Sequence, residues 1–578
     1  MAFDGIAAVR IVAELNQKLI NSRMVKIYQP DRHTVILHLR SLGQTHKLVI
    51  SADPVNARIH TTQHSAENPQ NPPAFCMLLR KYLEPSRVME IKQHELERII
   101  VIKFETFDPN LGTTIKSLVF ELMGRNSNII LIDQDWVILD AIHRNSDENH
   151  PRPIMPGLSY KLPPVNTKLN PLGVSEPEAI AEIRLFPAQT PIFKGLVNIF
   201  QGLSPQGAAE VCRRAGIDPQ TLKQDLSLQE MEALWKNLHK FITVKEPPVL
   251  VQSAKPDFFA YRLTDVPDQL EFTSLDELVD DFYHYRIHTH QVRQKAGALQ
   301  TQINTHLKRL RKKEQIQRNT LKAAEDADQW QKMGELILAN LYKITKGDHS
   351  VTAVDYYDPN QHEITIELDP SLGPSENAQR YFKRYNKAKN SREITKKLLN
   401  LTVMERQYLE EVMVQLEQAD DLEVLGEIEN ELIKEGFIRT KRSKKQNGDF
   451  HRKAKPYQEY AASDGTVILL GRNNRQNDLL TFRVAKPDDI WLHAQNIPGS
   501  HVILRADQGV SEEALSEAAA LAAYYSKHRN SPKVPVDYTE RKHVHKPKGA
   551  KPGFVTYNHF KTITADPTKL QNLPKKVN

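Results

Sequence analysis

Cysteine is nearly absent. The 578 residues hold two, Cys76 and Cys212, which excludes a disulfide framework and a cysteine-based zinc centre and points to a reducing, cytosolic setting. No run of eighteen apolar residues occurs, so no membrane-spanning helix is expected. The opening MAFDGIAAVRIVAELNQ has no basic segment followed by an apolar block. Its charges are interspersed as on an amphipathic helix, so it is not read as a signal peptide. Phosphate-loop (Gly-x4-Gly-Lys-Ser/Thr) and Gly-x-Ser-x-Gly patterns are missing too, which argues against nucleotide hydrolysis and serine-esterase chemistry. His284 and His288 stand four apart with His290 nearby. Without an HExxH pattern they read as a solvated helix face, and no metal or cofactor is expected.

What is there is charge, unevenly spread. The net charge is +7, yet residues 437–578 hold 25 Lys and Arg against 13 Asp and Glu, while the remainder holds 53 against 58. A basic module on a slightly acidic body points to a polyanion, most simply RNA.

Periodicity divides the chain into four parts: 1–171, 172–274, 275–437 and 438–578. The first reads as α+β, with a helix over Phe3–Leu19, another over Phe75–Tyr82, and strands at Met24–Tyr28, Thr34–Arg40, His46–Ser51, Arg98–Phe104, Ser117–Met123, Asn128–Ile132 and Trp136–His143. A Pro-rich linker, Pro151–Pro171, follows. The second part is helical. In it Ser204 and Pro205 open a helix after Gly202, the shape of a helix–hairpin–helix whose turn amides can receive a phosphate. In the third, heptads at Val292, Ala296, Leu299, Ile303 and Leu310 and at Ile394, Leu398, Leu401, Tyr408, Val412, Ala419 and Leu422 predict an antiparallel coiled-coil arm. A small β insert at about 346–375 forms its tip. The fourth part is a basic linker, Arg439–Lys445, then an α+β module with a helix near Ser511–Ser526 and a Lys-rich tail.

Within that module, DDIWLHAQNIPGSH (Asp488–His501) reads as strand, tight turn and strand. Trp491 and His493 share a strand face, and Ser500 and His501 follow the turn. Such a unit can hold nucleic acid by stacking and phosphate contact. The alternative is a Trp filling a small core beside an ordinary Pro-Gly turn. Taken alone, the motif does not choose.

Longer motifs carry a resemblance. NPQNPPAFCMLLRK (Asn68–Lys81), ELMGRNSNI (Glu121–Ile129), LDPSLGPSENAQRYFK (Leu368–Lys383), GRNNRQND (Gly471–Asp478) and the opening fourteen residues resemble the NFACT family, in its bacterial branch. The resemblance implies an N-terminal domain similar to the Fpg/MutM glycosylases, then a helix–hairpin–helix domain, a coiled-coil middle and an RNA-binding NFACT-R domain. It implies a cytoplasmic factor of ribosome-associated quality control. That factor binds a large ribosomal subunit still holding peptidyl-tRNA, recruits charged tRNA (tRNA-Ala), and directs template-free alanine tailing. It would position RNA, with peptidyl transfer left to the ribosome. The glycosylases' N-terminal Pro-Glu pair has no counterpart in Met1-Ala2-Phe3, so no glycosylase activity is expected. A small S4-type RNA-binding protein is an implied partner, and fibronectin is an implied secondary one. Adhesion as the main role requires export, for which neither the opening nor Lys575-Lys576-Val577-Asn578 gives a signal.

The family carries an Asp-Arg pair for tRNA; the matching positions here are Glu97-Arg98. Glu keeps the charge and adds one methylene. The implied tRNA site is Glu97, Arg98, Glu121, Met123, Arg125 and Asn126. The implied RNA site of the last domain is Arg472, Asn473, Arg475, Asp478, Trp491, His493, Ser500 and His501.

Overall fold

The computed structural model describes residues 3–109, 112–146, 152–164, 167–253, 255–323, 327–439, 457–507 and 509–567. The chain is a multidomain α+β protein that divides into two compact units, Met1–Ile287 and His288–Asn578. Met1-Ala2, the basic run after Arg439 and the tail Lys575–Asn578 lie outside the described residues. Among the described residues no helix is long and apolar enough to cross a membrane.

In the first unit two antiparallel meanders make one nine-stranded sheet. The first comprises Arg23–Tyr28, Thr34–Ser41, Gln44–Ser51 and Arg58–Thr62. The second comprises Ser86–Gln93, Ile99–Asp108, Gly112–Glu121, Asn128–Ile132 and Ile138–Ala141. They join where Arg23 pairs with Arg87. The strands Arg58–Thr62 and Ser86–Gln93 are additions to the sequence reading. In the latter a bulge between Val88 and Glu90 breaks the alternation that marks a strand.

The helix Gly5–Leu19 buries Ile6, Ile11, Leu15 and Leu19 in the main core. Each such side chain contributes about 1.5–3 kcal/mol. Asp4 caps the helix by accepting from Ala7 N at 3.0 Å. Further along, Glu14 accepts from Leu275 N and Asp276 N, both at 3.0 Å, and from Ser274 Oγ at 2.7 Å. It thereby satisfies the free amides where the helix Leu275–Ala323 begins.

Helices Ile192–Ile199 and Pro205–Arg214 flank the Gly202–Ser204 turn. The phosphate role expected for this turn is overturned. Ser204 Oγ donates to Asp4 Oδ2 at 2.7 Å and accepts from Gly207 N at 3.1 Å. A buried carboxylate already occupies the helix N-terminus, and it would repel a phosphate. Gly5 N donates to Gly202 O at 3.0 Å. The backbones approach so closely that a Cβ on Gly5 would collide with Gly202 Cα and Leu96 O.

In the second unit, Val292, Ala296, Leu299, Ile303 and Leu307 pack on Tyr408, Leu409, Val412 and Leu416. The latter four belong to the helix Pro374–Gln418. Pairs Arg311–Glu410 and Arg406–Glu314 fix an antiparallel register. The expected seam fails towards the tip: Ile394, Leu398 and Leu401 are exposed. On the first arm helix the heptad reaches Glu314 and Gln317 there, and Glu314 is engaged by Arg406 at 2.9 Å. Polar residues at the seam leave those three apolar side chains no partner. The tip is a hairpin, Ser350–Val354 with Glu363–Glu367, under a helix the sequence reading missed, Ala327–Ala339.

The C-terminal module is a six-stranded sheet in the order Gln458–Ala461, Val467–Leu470, Val502–Leu504, Ile490–Ala494, Val534–Glu540 and Lys561–Ala565. Helix Glu512–Tyr524 covers one face with a run of alanines. Trp491 lies on the opposite face with Leu469, Leu480, Ile503 and Val544.

Candidate nucleic-acid interface

The two N-terminal motif segments meet because their strands pair. Ile99 is opposite Glu121, so Glu97-Arg98 and Met123–Asn126 lie side by side at one sheet end. Glu97 and Arg98 sit in the turn before the strand, held from beneath. Gln93 Nε2 donates to Glu97 O at 2.8 Å and to Gly5 O at 3.1 Å, and Leu96 is packed at the Gly202 crossing. Leu122 N donates to Arg98 O at 2.8 Å. Gly124, with φ of 61°, lets a short 3-10 turn follow. That turn presents Arg125 and Asn126 outward, with Met123, Glu97 and Arg98 half-buried beside it.

Glu121 departs from its implied role. It is 1% exposed, clamped by both terminal nitrogens of Arg152 and by Tyr160 Oη at 2.7 Å. Its carboxylate is committed inside the domain and unavailable to RNA. Burial, with Glu121 beside it, pushes the Tyr160 hydroxyl well above its ordinary pKa.

The GRNNRQND motif also turns inward. Asn473 is fully buried, caps its own helix by accepting from Gln476 N at 2.9 Å, and donates to Glu427 Oε2 at 2.6 Å. Asn474 donates to Glu431 Oε1, which also accepts from Tyr408 Oη at 2.7 Å. Asp478 pairs with Lys546 and accepts from Gly553 N. Asn477 Oδ1 accepts from His501 N at 3.2 Å, and a Cβ on Gly471 would run into that same oxygen. The motif thus docks the module onto carboxylates of helix Leu422–Lys434. Arg472 and Arg475 stay partly exposed, with Arg472 3.6 Å from Asp420.

Stacking of a base on an open Trp491 face is overturned as well. Trp491 is fully buried, as are Ser500 and His501 within 2%. His501 Nδ1 lies 2.8 Å from Thr481 Oγ1. Burial lowers the pKa of both His493 and His501, so both imidazoles are neutral at pH 7.

Resolving the charge by helix shows what whole-chain counting missed. The first arm helix carries seven Lys and Arg against one Glu over residues 308–322, and the second carries eight against one over 380–397. Most of these basic side chains are exposed. At the tip Tyr342, Tyr356 and Tyr357 are exposed too. Among the described residues no group of three His, Cys, Asp or Glu is placed to hold a metal. His284 stacks on His64, with ring centroids 3.6 Å apart.

Family models match nearly the whole chain: "NFACT N-terminal and middle domains" over residues 4–449 and "NFACT protein RNA binding domain" over 456–558. The chain belongs to the NFACT family. It is 39% identical over 575 residues to the Rqc2 homolog RqcH of Bacillus subtilis, covering 98% of each chain. It is 27% identical over 369 residues to the human ribosome quality control complex subunit NEMF, covering 59% of this chain and 33% of that one. Among solved structures it is similar to the N-terminal part of the fibronectin/fibrinogen-binding protein from Streptococcus suis. That likeness is 31% identical with a TM-score of 0.43, over 49% of this chain and 99% of that one. In NFACT terms the Glu97–Asn126 cluster lies within the N-terminal and middle match and the GRNNRQND motif within the RNA-binding match.

Proposed function

We propose that this NFACT protein is a cytoplasmic ribosome quality-control factor. It binds large ribosomal subunits that hold peptidyl-tRNA, recruits charged tRNA-Ala, and directs template-free tailing of the stalled chain. The end-to-end likeness to RqcH carries this reading, and the exposed basic arm supports it. Lysines and arginines on two antiparallel helices suit an RNA backbone, where each phosphate contact releases counterions. The arm would dock on ribosomal RNA. Arg98, Arg125 and Asn126 would meet the tRNA, where the planar guanidinium fork suits phosphate or a base edge. No covalent chemistry is assigned to the chain, since peptide-bond formation belongs to the ribosome.

Sedimentation tests it. The protein should travel with free large subunits rather than whole ribosomes, and leave them steeply as salt rises. A protein that stays at the top of the gradient at low salt, while stalled subunits accumulate, overturns the reading.

A further inference from the structure

The buried side of the C-terminal module is not closed. A cavity of about 350 Å3 opens between it and the second arm helix, lined by Trp491, His493, His501, Tyr557, Glu411 and the Asn496–Gly499 turn. That volume falls in the range of small-molecule sites, roughly 300–1,000 Å3. Three rings surround the indole: His493 is near-parallel at 5.7 Å, His501 edge-on at 5.2 Å, and Tyr557 tilted at 4.8 Å between centroids. Among the described residues Trp491 Nε1–H, on a fully buried side chain, has no acceptor. A buried donor without a partner is costly, and indole N–H groups ordinarily find one. Here the open space beside the ring is where a partner can come from.

The chemistry of the wall narrows the ligand. Burial keeps both imidazoles neutral. Burial first, then the charges of Glu431 and Asp478, push Glu411 up to about 8, so it holds its proton at pH 7. A lining of aromatic faces and neutral polar groups disfavours a phosphate, which needs cations or amides. It suits a flat, uncharged group with hydrogen-bonding edges. We propose that the cavity receives one unstacked nucleobase of bound RNA, with Trp491 Nε1–H donating to an acceptor on the base edge. This rests on the RNA-binding reading of residues 456–558. It assigns that domain a base pocket in place of the open stacking face.

The test uses the full chain and a short single-stranded RNA carrying one 5-iodouridine, which photocrosslinks to aromatic side chains. Crosslinks should map by mass spectrometry to Trp491, His493 or Tyr557. Trp491→Phe, which keeps an aromatic core but removes the donor, should weaken RNA binding about tenfold. The salt dependence should stay unchanged, because phosphate contacts lie elsewhere. Glu411→Lys, on the arm helix and outside the module's core, should abolish the crosslink by placing a charge in the cavity. RNA that binds as tightly to both variants, with crosslinks only to surface residues, overturns the pocket and leaves RNA binding standing. No RNA bound at any salt overturns both.

Discussion

Leu122 N–H donates to the carbonyl oxygen of Arg98 at 2.8 Å. The bond belongs to the backbone, so it survives truncation of the Arg98 side chain. Arg98→Ala should therefore leave the sheet end folded and remove only the guanidinium. We expect tRNA co-purifying with the protein to fall ten- to a hundredfold, for a charge-assisted contact of about 1.5–3 kcal/mol, while large-subunit RNA is retained. Glu97→Asp, which restores the family residue, should be tolerated; Glu97→Ala should behave like Arg98→Ala. Normal tRNA recovery with Arg98→Ala would show that the family role does not transfer to this position. Loss of both RNAs would mark the pair as structural.

Glu121 should behave in the opposite way. Its carboxylate is buried and clamped by Arg152 and Tyr160, so Glu121→Ala leaves a buried guanidinium and hydroxyl unpaired. Breaking such a pair costs about 3–5 kcal/mol. Urea unfolding followed through Trp136, whose ring lies 5.8 Å from that of Tyr160, should shift to lower denaturant by that amount. An unchanged midpoint would mean the clamp contributes nothing to stability.

The arm is best tested by charge. Deleting residues 346–375 would strip the hairpin from Leu336 and Ile337, both fully buried in the tip core, and would confound folding with binding. Replacing Lys312, Lys313, Lys396 and Lys397 with Glu changes only exposed side chains. Large-subunit co-sedimentation should be lost near 100 mM salt, and the salt slope should become shallower by about 0.7–0.9 per phosphate contact removed. Wild-type affinity and slope in this variant would exclude the arm from docking.

Glu411 gives the second unit a pH dependence. Its pKa rises from the ordinary 4.5 to about 8, chiefly through burial, with Glu431 and Asp478 adding repulsion. Between those values the folded chain holds a proton that the unfolded chain has released. Its contribution is thus full below about pH 4.5 and is lost as pH rises to 8. Glu411→Gln should flatten that decline and be at least as stable as wild type at pH 8. Urea midpoints at pH 5.5 and 8 measure it; parallel declines in both proteins would contradict the assignment.

Several features were legible because they are local. Alternation placed Trp491 and Leu492 on opposite faces, and the Asn496–Gly499 turn and both arm helices follow from spacing and turn residues. Alternation cannot say whether a face is covered. Trp491 is enclosed partly by Tyr557, more than sixty residues later. Glu427 and Glu431, four apart on a helix, read as a solvent face, yet they receive Asn473 and Asn474 from another element. The arm's charge was hidden by averaging over acidic neighbours, and the loss of its apolar seam by scoring each helix without its partner. Nothing in the sequence around Gly5 or Gly202 announces that their backbones touch.

That touch bears on the order in which the protein is made. The turn bearing Arg98 leaves the ribosome about a hundred residues before Gly202 and Ser204, which complete the crossing beneath it. Until they arrive, Asp4 lacks its Ser204 partner and Leu96 lacks its seat. A copy of this protein whose own synthesis stops short of Gly202 carries every residue of the Glu97–Asn126 cluster without the support that shapes it. The tRNA surface is thus completed only when a much later stretch of the chain has been translated.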